Sequence, residues 1–88
     1  MILGKVIGSV VATLKDPSLE GKKLLLVKAI DLKGNLLDPF VVAVDVVGVG
    51  IGEKVLVVNG SSARMTSDTK ERSIDSIIAA KVDSIQLG

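Results

Sequence analysis

Asp45-Val46-Val47-Gly48-Val49-Gly50-Ile51-Gly52-Glu53-Lys54-Val55-Leu56-Val57-Val58-Asn59-Gly60-Ser61-Ser62-Ala63-Arg64 decides how this chain folds. It reads as a strand end, three alternating glycines, a second strand, a glycine turn and a helix start. Glycine at every second position leaves one face of an extended segment without side chains. Such a face expects close company: a ligand, another strand or another copy of the chain. Glycine loops that cradle phosphate run directly into a helix, whose N-terminal amides hold the anion. These glycines run instead into Glu53-Lys54 and the β-branched run Val55 to Val58, a strand pattern. The spacing matches neither the dinucleotide fingerprint nor the P-loop, and Glu53 would repel phosphate. Tight backbone packing is the expectation.

Composition narrows the function. The 88 residues suit one domain, 1–88, near the small end of chains that fold alone. With neither cysteine nor histidine, the chain has no thiol chemistry, no disulfides, no histidine acid–base catalysis and none of the usual zinc sites. Met1 leads straight into a patterned strand, without the basic and apolar regions of a signal peptide. The run Phe40 to Val44 is far too short to span a bilayer. A soluble, cytoplasmic, cofactor-free protein is expected. Hydrophobic residues make up 48% of the chain, yet its only aromatic is Phe40; valine, isoleucine and leucine supply the rest. So short a chain encloses that much apolar surface with difficulty, so the excess is expected at subunit interfaces. The net charge of +1 is interspersed, with no polyanion-binding stripe apparent along the sequence.

Ile2 to Leu14 reads as a long first strand that Gly4 and Gly8 allow to bend. A loop from Lys15 to Lys22 follows, opened by Asp16-Pro17 and closed by Gly21. Leu24 to Ile30 is the second strand, Asp31 to Asn35 a hairpin turn, and Leu36 to Asp45 the third strand, with Pro39 marking an edge or bulge. Val55 to Val58 is the fourth. Ser61 or Ser62 can cap a short helix through Thr66, and Ser67 to Ser73 is a polar loop. The last segment is ambiguous. Ile74, Ile77, Ile78, Lys81, Val82 and Ile85 fall at helical spacing, while Ile77 to Ile85 also suits a strand with a bulge near Ser84. Periodicity by itself favours the helix; a strand would complete a five-stranded barrel. Runs such as Leu24-Leu25-Leu26-Val27 are apolar on both faces, which predicts that the outside of such a barrel is also covered.

That order is OB-like. OB barrels often bind nucleic acid through stacked bases and a basic groove. One phenylalanine and a balanced charge supply neither.

Four stretches carry a resemblance covering nearly the whole chain: Ile2 to Thr13, Lys23 to Val27, Ala43 to Val57 and Gly60-Ser61-Ser62-Ala63-Arg64. Together they resemble the EutN/CcmL family of bacterial microcompartment vertex proteins. The Asp-x-x-Gly-x-Gly block with Gly-Ser-Ser-Ala-Arg at this spacing is the specific part. Ser73 departs from the proline that family members often carry before the pair matching Ile74-Asp75. The resemblance implies a mainly β, five-stranded OB-like closed barrel, with one short helix between strands 4 and 5 and the final segment as a strand. It further implies a non-enzymatic homopentamer at the five-fold corners of a shell whose faces are hexameric tiles, without nucleic-acid or membrane partners. The expected interface or structural residues are Asp45, Gly48, Gly50, Gly52, Gly60, Ser61, Ser62 and Arg64. Asp45 is read as an acceptor for amides of the glycine segment. Arg64 is read as either a bridge to a neighbouring subunit or a solvated helix arginine. The serines are read as caps, since no histidine could activate them. Two other readings stay open: a single-strand nucleic-acid module, and a ring-forming metabolic regulator with a ligand pocket.

Overall fold

The computed structural model describes residues 1–13, 20–59 and 76–88. Five strands form: β1 (Ile2–Val10), β2 (Lys23–Ile30), β3 (Leu36–Asp45), β4 (Lys54–Asn59) and β5 (Ser76–Lys81). They close into a barrel in the order β1-β2-β3-β5-β4. All pairs are antiparallel except β3 with β5. The helix expected after Gly60, with Ser61, Ser62 and Arg64, lies outside the described residues, as does most of the loop after β1. Gly21, expected to close that loop, has φ +79°.

The core follows the period of two. Along β2, Leu25, Val27 and Ala29 are buried and alternate with residues on the outer wall. They meet Val6 of β1, Ala43 of β3, Val55 and Val57 of β4, and Ile78 of β5. Each such β-branched side chain, fully buried, contributes about 1.5–3 kcal/mol.

Two strands end well short of the sequence expectation. β1 ends at Val10 rather than Leu14. It also shifts register between Val6 and Gly8, where Ile7 is the extra residue that lets the strand bend. β5 ends at Lys81, short of Ile85, and its irregularity lies opposite Leu56 and Val57 rather than near Ser84. The segment is nonetheless a strand, against its helical period. Ile77 and Ile78 are both fully buried although they stand in unbroken register on opposite faces of β5. Ile78, opposite Val57, joins the core, while Ile77, opposite Val58 and Val44, is buried outside that cluster. That doublet imitates helical spacing.

The edge expected at Pro39 is also explained by register. Lys28 opposes Phe40 and Ile30 opposes Leu36, so Leu37, Asp38 and Pro39 bulge opposite Ala29 alone. Among the described residues, β5 pairs with β3 only at Val44 and Asp45, so the Pro39 end of β3 has β2 as its only described strand neighbour. There the missing N–H of proline disrupts no ladder.

Gly4 is the glycine that close packing requires. It is buried, and a Cβ there would stand 2.5 Å from Val27 Cγ1 and 2.9 Å from the Lys28 carbonyl oxygen. β1 pairs with both β2 and β4 at this point, and only a residue without a side chain fits.

Candidate functional site

The segment from Asp45 to Glu53 joins β3 to β4 and is built around one carboxylate. Asp45 is buried, 8% exposed. Its Oδ1 accepts the N–H groups of Val47 at 2.9 Å and Gly48 at 2.8 Å, and its Oδ2 accepts that of Val49 at 2.9 Å. A buried carboxylate is tolerable only when hydrogen-bonded. Here it satisfies three amides that a turning backbone would leave without ladder partners. Gly48 sits at φ +92°, which carries the chain back so that Val49 enters the core.

A second turn follows at once. Glu53 N–H donates to the Gly50 carbonyl at 3.3 Å, with Gly52 at φ +89° in the third position, as a type II turn requires. The turn is stitched to β1 by Gly52 N–H on the Val6 carbonyl (2.8 Å) and by Val6 N–H on the Glu53 carbonyl (3.0 Å). Glu53 also works through its side chain: Oε1 accepts Gly50 N–H at 2.7 Å, and Oε2 pairs with Lys81 Nζ at 2.8 Å. The Lys81 ammonium, then the Gly50 amide, hold the Glu53 carboxyl below its ordinary value. Glu53 in turn raises Lys81. This pair ties the turn to the end of β5.

Within one chain, the alternating glycines serve the turning of the backbone. A Cβ at Gly48 or Gly52 would meet nothing within 4 Å among the described residues, so none of those packs tightly against them. Positive φ is what they supply. At Gly50 a Cβ would only touch Glu53 Oε1, at 3.4 Å. Gly60, Ser61, Ser62 and Arg64 are outside the described residues, so Asp45, Gly48, Gly50 and Gly52 are the expected site residues that the structure brings together.

Apolar groups remain exposed around this framework. Ile51 (66% exposed) and Val11 (98%) border a groove of about 500 Å³, floored by Val10, Leu24, Leu25 and Val49. On the outer wall Phe40 is 64% exposed, next to Leu36, Leu37 and Val42. These surfaces suit association. The described residues contain no cluster of acidic residues able to hold a metal ion, and no helix long and apolar enough to cross a membrane. Sequence reading missed Gly4 as a packing residue, because nothing near it along the chain distinguishes it from Gly8.

Residues 1–83 match the family model described as "Ethanolamine utilisation protein EutN/carboxysome". The carboxysome shell vertex protein CcmL of Synechocystis is 45% identical over 87 residues, spanning 99% of this chain and 87% of its own. The bacterial microcompartment shell vertex protein PduN of Salmonella typhimurium is 45% identical over 89 residues, spanning 97% and 98%. Among solved structures, the GrpN pentameric microcompartment shell protein from Rhodospirillum rubrum superposes with a TM-score of 0.87 at 43% identity, covering 100% of both chains.

Proposed function

The chain belongs to the EutN/CcmL family, and on that premise we propose that it is a structural shell protein whose pentamers cap the five-fold vertices of a bacterial microcompartment. The observation that carries this reading is the likeness to the pentameric Rhodospirillum protein over the full length of both chains. The physical task fits the molecule. A sheet of hexagons stays flat and closes only where five-fold units are inserted. A small barrel with apolar outer surfaces and a stiffly hydrogen-bonded connection between β3 and β4 is a suitable wedge. The protein works in the cytoplasm as one domain, 1–88, and closes shells rather than catalysing a reaction.

Asp45, Gly48, Gly50 and Gly52 hold the shape of the connection that presents Val47 and Ile51. Gly60, Ser61, Ser62 and Arg64 contribute to the contact between protomers, with Arg64 bridging to a neighbour. The outer edges of the ring bind the rims of hexameric tiles, through weak contacts multiplied by symmetry.

Native mass spectrometry tests the ring: a pentamer is expected, and a stable monomer at micromolar concentration would overturn it. Electron microscopy of shells co-expressed with and without this chain tests the vertex role. Shells lacking it should keep their facets with open five-fold corners. Equally sealed shells in both samples, without density for this protein at the corners, would sink the assignment.

A further inference from the structure

The barrel aligns three lysines that are far apart in the chain. Lys28 of β2 stands opposite Lys5 of β1, and Lys5 stands opposite Lys54 of β4. Directly opposed residues share a face, with Cβ atoms about 4.5–5.5 Å apart, and like charges in that relation are destabilising. The chain neighbours Val6, Ala29 and Val55 are buried, so the lysines line the outer wall. None of the three ammonium groups has a carboxylate or hydrogen-bond partner among the described residues. Of the acids near them, Asp31 is engaged with the amides of its own turn and Glu53 with Lys81 and Gly50, while Asp38, two residues from the Phe40 that opposes Lys28, forms no ion pair with the row. The Lys54 ammonium lies over the hairpin after β2, 3.7 Å from where a Cβ on Gly34 would stand. On a chain of net charge +1 this row does not follow from bulk basicity.

The row is bordered by apolar pairs, Leu26 with Val42 on one side and Leu3 with Leu56 on the other. We propose that it docks the acidic face of an amphipathic helix from a partner protein. Spacing favours a helix. Adjacent strands lie about 4.8 Å apart. Carboxylates at positions i, i+4 and i+7 of a helix advance by about 6.0 and about 4.5 Å, about 5.3 Å on average, whereas every second residue of an extended strand advances about 6.7 Å. Across the row a helix drifts from the strand spacing by about 1 Å and an extended strand by about 4 Å. Apolar residues beside the acidic stripe meet Leu26 and Val42 or Leu3 and Leu56. A nucleic acid would leave those borders uncovered and finds one aromatic, Phe40, on which to stack. The proposal does not depend on the vertex reading.

Fluorescence anisotropy on the full chain tests it. The probe is a fluorescein-labelled helical peptide of alanine, leucine and glutamate with glutamates at i, i+4 and i+7. Binding should weaken with salt and fall roughly tenfold in Lys5→Gln/Lys28→Gln/Lys54→Gln, about the yield of three exposed ion pairs. The same variant should melt higher than the parent, because the like-charge row is relieved. Single Lys5→Gln should move both readouts the same way by less, and Lys23→Gln, outside the row, should leave binding unchanged. Undiminished binding by the triple variant, a lower melting temperature in both variants, or displacement of the peptide by oligouridine RNA would each overturn the proposal. Native mass spectrometry of the same samples reads assembly separately, so a failed vertex assignment is not mistaken for a failed docking site.

Discussion

In the hairpin between β2 and β3, Asp31 Oδ1 accepts the N–H groups of Lys33 at 2.8 Å and Asn35 at 2.9 Å. In the connection after β3, Asp45 Oδ1 accepts those of Val47 at 2.9 Å and Gly48 at 2.8 Å. The two turns share a pattern: Asp31-Leu32-Lys33-Gly34 and Asp45-Val46-Val47-Gly48, each ending in a glycine near φ +90°, at +88° and +92°. They differ in surroundings. Asp31's turn is exposed, and water can take over any amide its carboxylate releases. Asp45 is buried and also holds the buried Val49 amide, which has no such substitute. One local device thus ends an ordinary hairpin in one place and anchors the link between β3 and β4 in the other. Burial, not hydrogen-bond geometry, separates their energetic roles.

The largest test of that contrast is Asp45→Ala. It strips the acceptor from three amides, one of them buried, and should cost roughly 2–3 kcal/mol of stability in denaturant unfolding at fixed protein concentration. Asp31→Ala should move the midpoint distinctly less. Equal losses would mean that burial does not set the difference. Next in size are the glycines. Gly34→Ala and Gly48→Ala should each cost about 1 kcal/mol, because left-handed φ is a local penalty that ignores the surroundings. A cost at Gly48 several times that at Gly34 would show that a neighbouring chain crowds Gly48, sharpening the comparison from the other side.

The smallest effect lies in acid. The Asn35 amide, foremost, holds the Asp31 carboxyl below its ordinary value of 3.8. A depressed folded-state value stabilises above the unfolded one and loses that contribution as pH falls through the folded value. The melting difference between the parent and Asp31→Asn should therefore be constant well above pH 3.8 and shrink as pH falls towards and below it. A difference that grew on acidification would reverse the assigned sign. The exposed Glu53–Lys81 pair obeys the same logic, fading as pH falls through a Glu53 value lowered from 4.5.

How much of this was legible beforehand depended on the range of the interactions. Both Asp-x-x-Gly turns could be read from sequence because donor, acceptor and glycine lie within five residues. β3 was predicted with its observed bounds, Leu36 to Asp45, since a hairpin turn and an aspartate punctuate it. The close approach at Gly4 was not legible, because Val27 and Lys28, which crowd it, are distant along the chain. β5 was predicted as a strand only through family resemblance, as Ile77 and Ile78 are buried on opposite faces of it, and that two-sided burial depends on distant partners. Interspersed charges along the sequence concealed the lysine row, which exists only in cross-strand register.

By itself, then, the sequence determined what its residue types and short-range geometry control. Those are the absence of thiol and imidazole chemistry, the β-branched strands, the turns built on Asp31 and Asp45, and membership of the family. The tertiary structure alone decided that Gly4 is the packed glycine while Gly48 and Gly52 serve the backbone, and that one of two like aspartates is buried. It also decided that Lys5, Lys28 and Lys54 share one stripe. Each of those facts depends on which residues barrel closure places opposite one another. Register is a long-range property, set by the whole set of strand pairings, and no local stretch of chain contains it.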